Sequence, residues 1–508
     1  MAKRIMSLIL CFILVVAVVT GCSSGNNSNK TSSQPSSQSN SESSSQSSSS
    51  KTSSKEDSNE DSNKEDVSPE EPKPVTITVA MWPAENDTAG LELKEKQLEE
   101  MKKKYPWITV KPDRWPYDVK SFLPKAASGQ LPTVYSTYFT EPQKIIGGGY
   151  AADITDVMMA YGYDKSISEE VLDLVTKDGR IYGLPSDAYT MGVHYNVNLM
   201  KEAGLVDGNG KPLIAKTWDE LLEFAKTIKE KTNQAGFSLP SVNNQGGWQF
   251  LNIAWGFGAD FQKQDEDGNW IAVFNSPEAV QAMQWVKDLK WVHDVIPANT
   301  LLSIVEQNQF FAADQLGMKL RDYGAANEMI VNFGMSKDNL AMSAMPAGPA
   351  GAFAQLGGNL YMFSPDATYE EIDAAFKWLE ITGFSDSTSE EALATLEDNL
   401  KVDVANGKIV GPYGVPPIWA NSERFEAERQ IRSKLANVDM SLFDHYLRSA
   451  EFVTVLPEPP INCQEMYKLL DNVIQAVWTD KNADPKALLD KAVEDFQRDY
   501  LDPYNSQN

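Results

Sequence analysis

A change in composition near residue 74 decides which part of this 508-residue chain can fold. Residues 23–73 are dominated by Ser, Asn, Gln, Lys, Glu and Asp and contain no aromatic residue. Such a segment buries too little apolar surface to offset the entropy of ordering, so we predict a Ser-rich disordered tether over residues 22–74. The folded part must therefore lie between about Val75 and Pro503, a length that suits two domains.

The N-terminus has the pattern of a secretory signal peptide. Lys3 and Arg4 precede an apolar run, Ile5–Val19, that is short for a membrane span. The run ends in Val-Thr-Gly-Cys22, which resembles the lipobox of bacterial lipoproteins, whose cysteine is acylated. We therefore expect a lipoprotein signal peptide over residues 1–21 and a lipid anchor on Cys22, with an uncleaved N-terminal anchor as the alternative. The anchor would hold the protein at the extracytoplasmic face of the cell membrane.

Charge and cysteine content narrow the classes of partner. The formal net charge is -26 at pH 7, which repels phosphate backbones. Nucleic acid is therefore not expected as a partner, and a neutral or cationic ligand is favoured. Apart from Cys11 in the signal peptide and the lipidated Cys22, only Cys463 remains, so a disulfide framework is excluded. We expect Cys463 to be a small packed hydrophobic residue.

Local patterns in the folded part predict an α/β protein. Val75–Trp82 alternates apolar and polar residues like a strand, Leu91–Lys104 reads as an amphipathic helix, and Ile108–Val110 reads as the next strand. This β-α-β order indicates a parallel sheet. Capping boxes are predicted at Thr217–Glu220 and at Thr368–Glu371, each at the start of a helix.

No local motif indicates catalysis or a cofactor. The histidines, His194, His293 and His445, lie far apart and outside metal-binding spacings, so neither a metal nor a cofactor is expected. A glycosidase-type carboxylate pair stays open, because spacing in sequence does not give separation in space. The segment 265–269 reads as a turn rather than a calcium loop, although the sequence does not decide whether a structural calcium binds.

Aromatic residues outside the predicted helices are the most informative group. Tryptophan in a loop is stabilised by packing against another part of the protein or against a ligand. Several such rings facing one cleft would suit the CH faces of pyranose sugars, while neighbouring polar side chains bind hydroxyl groups. The residues concerned are Trp82, Trp115, Trp248, Trp255 and Trp419, with Tyr138, Phe139, Tyr189, Tyr323 and Tyr413.

Several stretches in a fixed order resemble the extracellular solute-binding proteins, family 1, which serve bacterial ABC importers of oligosaccharides. Each motif is weak alone, but together they extend from Val75 to the C-terminus, and one departure is Thr133 where aspartate is usual. The stretches are 126–135, 178–185 with 194–196, 201–205, 217–221, 310–318 and 357–359.

The resemblance implies a two-lobed, periplasmic-binding-protein type II-like α/β fold with three hinge crossovers that closes on its ligand. The crossovers would fall near Leu184–Val193, Phe353–Tyr361 and Gly411–Trp419. Residues 75–187 and 356–414 would form the N-terminal lobe, and residues 188–355 and 415–508 the C-terminal lobe.

The resemblance also implies a ligand site and a role. The implied ligand is a neutral oligosaccharide, β-linked or a xylo-oligosaccharide, and the implied partner is the permease of an ABC importer, with this protein as a monomer. No catalytic residue is implied; the alternatives are a surface-anchored glycosidase or lyase, a peptide- or polyamine-binding protein, and an adhesin. The expected ligand-binding residues are Trp82, Tyr138, Phe139, Glu141, Asp187, Tyr189, Asn243, Trp248, Trp255, Arg321, Asp322, Tyr323, Asn359 and Trp419.

Overall fold

The computed structural model describes residues 72–85, 87–411 and 418–506. The predicted signal peptide, the lipidation site Cys22 and all but the last three residues of the predicted tether lie outside the described residues. So does most of the predicted third crossover, because residues 412–417 are not described.

The described residues form a mixed α/β structure. Its strands are β1 Val75–Val79, β2 Ile108–Pro112, β3 Val134–Tyr138, β4 Thr176–Lys177, β5 Arg180–Ile181, β6 Gly183–Thr190, β7 Gly192–Asn196, β8 Ala235–Ser238, β9 Gln262–Gln264, β10 Trp270–Ala272, β11 Leu316–Arg321, β12 Leu340–Ala344, β13 Ala347–Gly348, β14 Gly351–Phe363 and β15 Thr454–Pro457. Its α-helices are α1 Thr88–Lys104, α2 Val119–Ala127, α3 Pro142–Gly147, α4 Thr155–Tyr161, α5 Tyr163–Ser166, α6 Glu169–Leu172, α7 Val197–Glu202, α8 Trp218–Thr232, α9 Gln245–Phe257, α10 Pro277–Trp291, α11 Ile304–Ala312, α12 Ala326–Phe333, α13 Tyr369–Ile381, α14 Glu390–Ala405, α15 Ser422–Lys434, α16 Asp444–Leu447, α17 Cys463–Thr479, α18 Pro485–Phe496 and α19 Asp502–Asn505.

The N-terminal lobe is built on the strands β14-β3-β1-β2 of a seven-stranded sheet, to which β6, β13 and β15 also belong. The predicted β-α-β opening is confirmed: β1 pairs in parallel with β2, and α1 connects them. Thr133, the departure from the family pattern, lies just before β3, and its backbone N–H and that of Thr78 each donate to the other's hydroxyl, at 2.8 and 3.0 Å. This lobe has its own core, in which Ile77 and Val79 of β1 are fully buried.

The C-terminal lobe is built on the sheet β12-β7-β11-β8. Strand β11 pairs in parallel with β8 and antiparallel with β7. Helices α8, α9, α10 and α17 contribute most of the second large core, in which Trp218 and Trp478 are almost completely buried. Cys463 belongs to this core and is 1% exposed, which confirms the expectation of a packed residue.

Two long strands connect the lobes and run side by side. Strand β14 pairs antiparallel with β6, and the pairing becomes irregular between Asn359 and Leu360. The segment β6–β7 continues from this pairing into the second sheet, and the first half of β14 pairs in parallel with β15. These strands occupy the first two predicted crossover segments, so the two connections form one ribbon rather than two independent links.

The packing of residues 409 and 418–419 differs from the predicted lobe boundary between residues 414 and 415. Ile409 packs beside Phe443 and Tyr446 in a cluster next to β12 of the C-terminal lobe. Ile418 and Trp419, which we had assigned to the C-terminal lobe, pack in the core of the N-terminal lobe instead. The helices on either side of this segment, α14 and α15, share a separate small cluster, whose buried members are Leu396, Leu400 and Val410.

Local sequence signals explain how several of these helices begin. At α13 the predicted capping box is complete, because Thr368 and Glu371 exchange side-chain and backbone bonds. At α8 only half of it forms: Thr217 accepts from the N–H of Glu220 at 3.1 Å, but the Glu220 carboxylate accepts from the N–H of Lys216 at 2.7 Å. The segment 265–269 is a turn between β9 and β10, as predicted.

Candidate functional site

A cavity of about 1110 Å³ lies between the two lobes, against the ribbon formed by β6 and β14. It is lined by side chains from both lobes and from the ribbon. The structure brings together ten of the predicted ligand-binding residues on its wall, namely Tyr138, Asp187, Tyr189, Asn243, Trp248, Arg321, Asp322, Tyr323, Asn359 and Trp419.

An acceptor group on the ribbon is held in a fixed orientation. The side-chain amide of Asn359, on β14, donates to both carboxylate oxygens of Asp187, on β6, at 2.9 and 3.2 Å. The Ser186 hydroxyl also lies 3.4 Å from this carboxylate. Burial raises the pKa of Asp187 and outweighs the opposing effect of the Asn359 hydrogen bonds. The result is a preorganised acceptor for hydroxyl groups on the cavity wall.

The paired glycines of β14 allow aromatic rings to lie directly on the ribbon. A Cβ atom on Gly357 would be 2.4 Å from the ring of Tyr189, and one on Gly358 would be 2.4 Å from the ring of Phe139. Neither ring could keep its position if a residue with a side chain replaced the corresponding glycine. The glycines therefore place Tyr189 at the cavity and Phe139 behind it.

Trp248 and Arg321 form an aromatic and cationic wall in the C-terminal lobe. The guanidinium carbon of Arg321 is 5.8 Å from the ring centroid of Trp248. Arg321 also pairs with Glu328 at 3.0 Å and with Asp322 at 3.8 Å, so its charge is compensated. An indole supported from one side by a fixed cation presents a flat apolar face to a ligand.

The start of α9 fixes the position of Trp248. The carboxylate of Asp471, on α17, accepts from the N–H groups of Asn244 and Gly247 at 2.7 and 2.8 Å. Burial raises the pKa of Asp471 to about 6. A Cβ atom on Gly247 would be 2.3 Å from the carbonyl oxygen of Tyr467, so only glycine lets α9 approach α17 this closely.

The other four predicted residues lie off the cavity wall. Trp82 stacks on Trp378 with ring centroids 5.9 Å apart, and Trp255 packs edge-on against Phe261 in the core of the C-terminal lobe. Neither tryptophan lines the cavity, so the predicted cleft position of both is corrected: Trp82 is half-buried against Trp378, and Trp255 is buried against Phe261.

Phe139 and Glu141 are likewise behind the wall rather than on it. Phe139 is 7% exposed beneath the ribbon, and Glu141 is 2% exposed. The Glu141 carboxylate accepts from the hydroxyls of Tyr117 and Thr140, and burial raises its pKa. Their position after β3 suggested the cleft, yet the chain turns inward directly after the exposed Tyr138.

Sequence reasoning missed Glu458, a half-buried carboxyl group on the cavity wall. It accepts from the Tyr467 hydroxyl at 2.6 Å and from the Gln355 amide at 2.5 Å. Burial raises the pKa of Glu458 to about 7, against the opposing effect of these hydrogen bonds and one from Trp248. The sequence signal was a glutamate among prolines, Leu-Pro-Glu-Pro-Pro, a rigid segment on which a polar side chain needs a partner.

A hydrogen-bond chain crosses the cleft from one lobe to the other. The Gln464 amide, at the start of α17, donates to the Thr140 hydroxyl at 3.0 Å, and the Asn244 amide donates to the Gln464 carbonyl at 3.1 Å. Thr140 belongs to the N-terminal lobe, whereas Asn244 and Gln464 belong to the C-terminal lobe. All three line the cavity, so this contact between the lobes is part of the wall of the site.

One group of missed wall residues comes from α14, α15 and the segment before α14. They are Gly383, Phe384, Ser385, Leu396, Arg424, Phe425, Glu428 and Arg432. No motif pointed to this region, because both helices carry many charged residues and read as solvent-exposed.

The wall carries hydrogen-bonding and stacking groups but no histidine. His194 is fully buried near it and donates from Nε2 to the carbonyl of Asp322 at 2.9 Å. Within residues 72–85, 87–411 and 418–506, no group of three or more His, Cys, Asp or Glu side chains could hold a metal ion. The arrangement is suited to binding a polar ligand by hydrogen bonds and aromatic contacts.

Comparison with known proteins decides the family. Residues 96–396 match the sequence profile of the bacterial extracellular solute-binding proteins, over more than half of the chain. The chain belongs to this family.

Relatives of this solute-binding protein agree with the fold. A binding protein from Brucella abortus is 23% identical over 412 residues, which cover 78% of this chain and 88% of that protein. An arabinooligosaccharide-binding protein from Halalkalibacterium halodurans is 30% identical over 127 residues, 25% of this chain and 26% of that protein. Maltose-bound MalE3 of T. maritima superposes with a TM-score of 0.61 at 21% identity, covering 84% of this chain and 99% of that chain. This likeness confirms the two-lobed α/β fold.

Proposed function

We propose that this solute-binding protein captures an oligosaccharide outside the cell and presents it to the permease of an ABC importer. The observation that carries the proposal is the cavity of about 1110 Å³ between two lobes, in which Trp248 and Tyr189 accompany the fixed acceptor Asp187. Rings that cover the CH face of a sugar, next to oriented acceptors for its hydroxyls, are the combination that a carbohydrate requires. The volume suits several sugar units rather than one.

The name of the arabinooligosaccharide-binding relative and the maltose in the structural neighbour support the same ligand class. The sugar units that face the ribbon are neutral in this proposal. Arg321 on this part of the wall is paired with Glu328, and burial raises the pKa of the acceptors Asp187 and Glu458. A β-linked or xylo-oligosaccharide backbone remains our first candidate.

In the proposed mechanism the lobes close on the ligand by bending at the ribbon of β6 and β14. The irregular pairing between Asn359 and Leu360 is a natural point for this motion, since a break in regular pairing bends a strand. Closure brings Thr140 and Gln464 together and favours the conformation that the permease recognises. No bond of the sugar is made or broken.

The proposal places the protein at the extracytoplasmic face of the membrane through lipid on Cys22, with the tether between lipid and lobes. None of the helices in the described residues is both long enough and apolar enough to cross a membrane. The proposed state is a monomer with one ligand.

The test is calorimetric titration of the full chain with cello-, xylo-, malto-, manno- and arabino-oligosaccharides and with spermidine, followed by chromatography of each mixture. We expect micromolar binding of one sugar series, recovered intact. Shortened sugars would identify a glycosidase or lyase instead. Heat from spermidine without heat from any sugar would contradict the oligosaccharide proposal.

A further inference from the structure

The cavity wall contains a buried guanidinium group, Arg424, that forms no ion pair with a carboxylate among the described residues. Arg424 lies on α15, is 2% exposed and contributes to the cavity wall. Its Nη1 donates to the carbonyl of Ser387 at 2.8 Å, and its Nε has no hydrogen-bond partner within the part of the chain that the structure describes. The other two arginines of this helix are paired with glutamates, Arg429 with Glu426 and Arg432 with Glu428, both at 2.8 Å.

The nearby acidic groups do not neutralise Arg424. Glu428 and Asp386 are close enough to favour its charged form, but Glu428 is engaged by Arg432, and no ion pair of the described residues includes Arg424. Burial lowers the pKa of Arg424, yet a guanidinium group stays protonated. A buried charge without a paired counter-charge is unfavourable unless a ligand supplies the counter-charge.

Aromatic rings lie beside this group on the same wall. Phe384 and Trp419 have ring centroids 4.9 Å apart with planes inclined at 49°, and both line the cavity. Phe425, adjacent to Arg424 in the chain, also lines it. An apolar aromatic surface next to a guanidinium group fits a sugar ring that carries an acidic group. The planar guanidinium matches a carboxylate in particular, because two parallel hydrogen bonds can form.

We infer that the end of the cleft formed by Phe384, Trp419 and Arg424 is a subsite for a uronic acid unit of the oligosaccharide. The sugar ring lies against the aromatic rings, and its carboxylate pairs with Arg424. A monoanionic carboxylate fits better than a dianionic phosphate, because Glu428 and Asp386 add negative charge nearby. This inference rests on the proposed function and replaces the expectation of a wholly neutral ligand, since one unit carries a charge.

The test compares acidic oligosaccharides with the same oligosaccharides after reduction of their carboxyl groups, here called their reduced twins. Glucuronoxylo-oligosaccharides and oligogalacturonides are titrated into the full chain alongside the same compounds after chemical reduction of their carboxyl groups. We expect an acidic member to bind about 10- to 100-fold more tightly than its reduced twin, the range of a hydrogen bond to a charged group. The preference should weaken as salt increases.

Matched variants on α15 connect the preference to one side chain. Arg424→Met should abolish the preference, so that the acidic sugar and its carboxyl-reduced counterpart bind with equal affinity. Arg424→Lys, which keeps the charge but loses the fork, should retain part of it. Arg429→Met is the control, because Arg429 is exposed and paired with Glu426. Circular dichroism and Tm establish that each variant is folded.

The outcomes separate this inference from the proposed function. Equal binding of acidic and reduced twins overturns the uronic acid subsite and leaves oligosaccharide capture intact. The same holds if only sugars without any acidic unit bind. If a folded Arg424→Met protein still prefers the acidic sugar over its carboxyl-reduced form, the sugar carboxylate binds at another site. Failure of every sugar to bind overturns the proposed function together with the subsite.

Discussion

The amide of Asn359 joins the two lobe-connecting strands at their irregular point by donating to both oxygens of Asp187, at 2.9 and 3.2 Å. The same contact therefore orients a carboxylate on the cavity wall and links the two strands of the ribbon; in the proposed function these are the ligand acceptor and the hinge. Substitution of Asp187 or Asn359 can therefore distinguish a role in ligand binding from a role in joining the two strands.

Removal of the acceptor should weaken ligand binding without unfolding the protein. Asp187→Ala eliminates a carboxylate whose pKa burial raises, so its loss costs little folding free energy. Affinity for the oligosaccharide should fall about 10- to 100-fold, the loss of a charged hydrogen bond. Calorimetric titration and Tm together test this, with Asp366→Ala at an exposed turn as the control. A large fall in Tm with unchanged affinity would assign Asp187 a structural role.

Two tryptophans of α9 should respond in opposite ways. Trp248→Ala removes the ring beside Arg321 on the cavity wall and should reduce affinity at least about tenfold. Trp255→Ala leaves a cavity beside Phe261 and should lower the free energy of unfolding by about 3–5 kcal/mol with little effect on affinity. Denaturant unfolding and titration of both variants provide the comparison. Similar losses of affinity in both would contradict the assignment of Trp255 to the core.

Glu458 should make the protein less stable as pH rises from about 4 to about 7. A glutamic acid ionises near pH 4.3 in an unfolded chain, whereas burial raises the pKa of Glu458 to about 7 in the folded protein. Between these values the folded state binds more protons, so its stability falls with increasing pH, and above about pH 7 the loss is complete.

The variant Glu458→Gln mimics the protonated group and should remove this loss. Its free energy of unfolding should match that of the wild type near pH 4 and exceed it at pH 8. Denaturant unfolding at several pH values measures the difference, and subtraction of the wild-type curve cancels the parallel contribution of Asp471, whose pKa is raised to about 6. Glu451→Gln, at an exposed position, is the control. Parallel curves for the variant and the wild type would contradict a raised pKa at Glu458.

The approach of α9 to α17 depends on Gly247. Gly247→Ala places a methyl group against the backbone of Tyr467, which cannot move aside as a side chain would. We expect a loss of about 1–3 kcal/mol in folding free energy and weaker binding, because Trp248 is carried on the displaced helix. Gly208→Ala, with nothing within 4 Å, should change neither quantity. Unfolding and titration of the two variants test the comparison.

The fold was largely predictable because its signals are local. The alternation in β1, the cap at Thr368 and the glycine pair at 357–358 each determine structure within a few residues, and their order along the chain identified the family. Wall residues that lie within such motifs, among them Asp187 and Asn359, were predicted together with them. Their contact with each other was not, because register between distant strands is invisible in the sequence.

The predictions that were wrong concern burial rather than secondary structure. Trp82 and Trp255 lie at element ends, as open-cleft residues do, and only the positions of Trp378 and Phe261 show that they are covered. Arg424 was missed for the converse reason. A charged helix reads as exposed, although Arg424 in the first turn of α15 is buried at the cavity wall.

The small cluster shared by α14 and α15 has an evolutionary consequence. Leu396, on α14, packs in this cluster and also lines the cavity, while neither large core includes it. Substitutions in these two helices can thus change the cavity wall without disturbing the packing that holds each lobe together. If selection acts on the ligand, we expect sequence variation among relatives to concentrate in this helix pair before it reaches the ribbon.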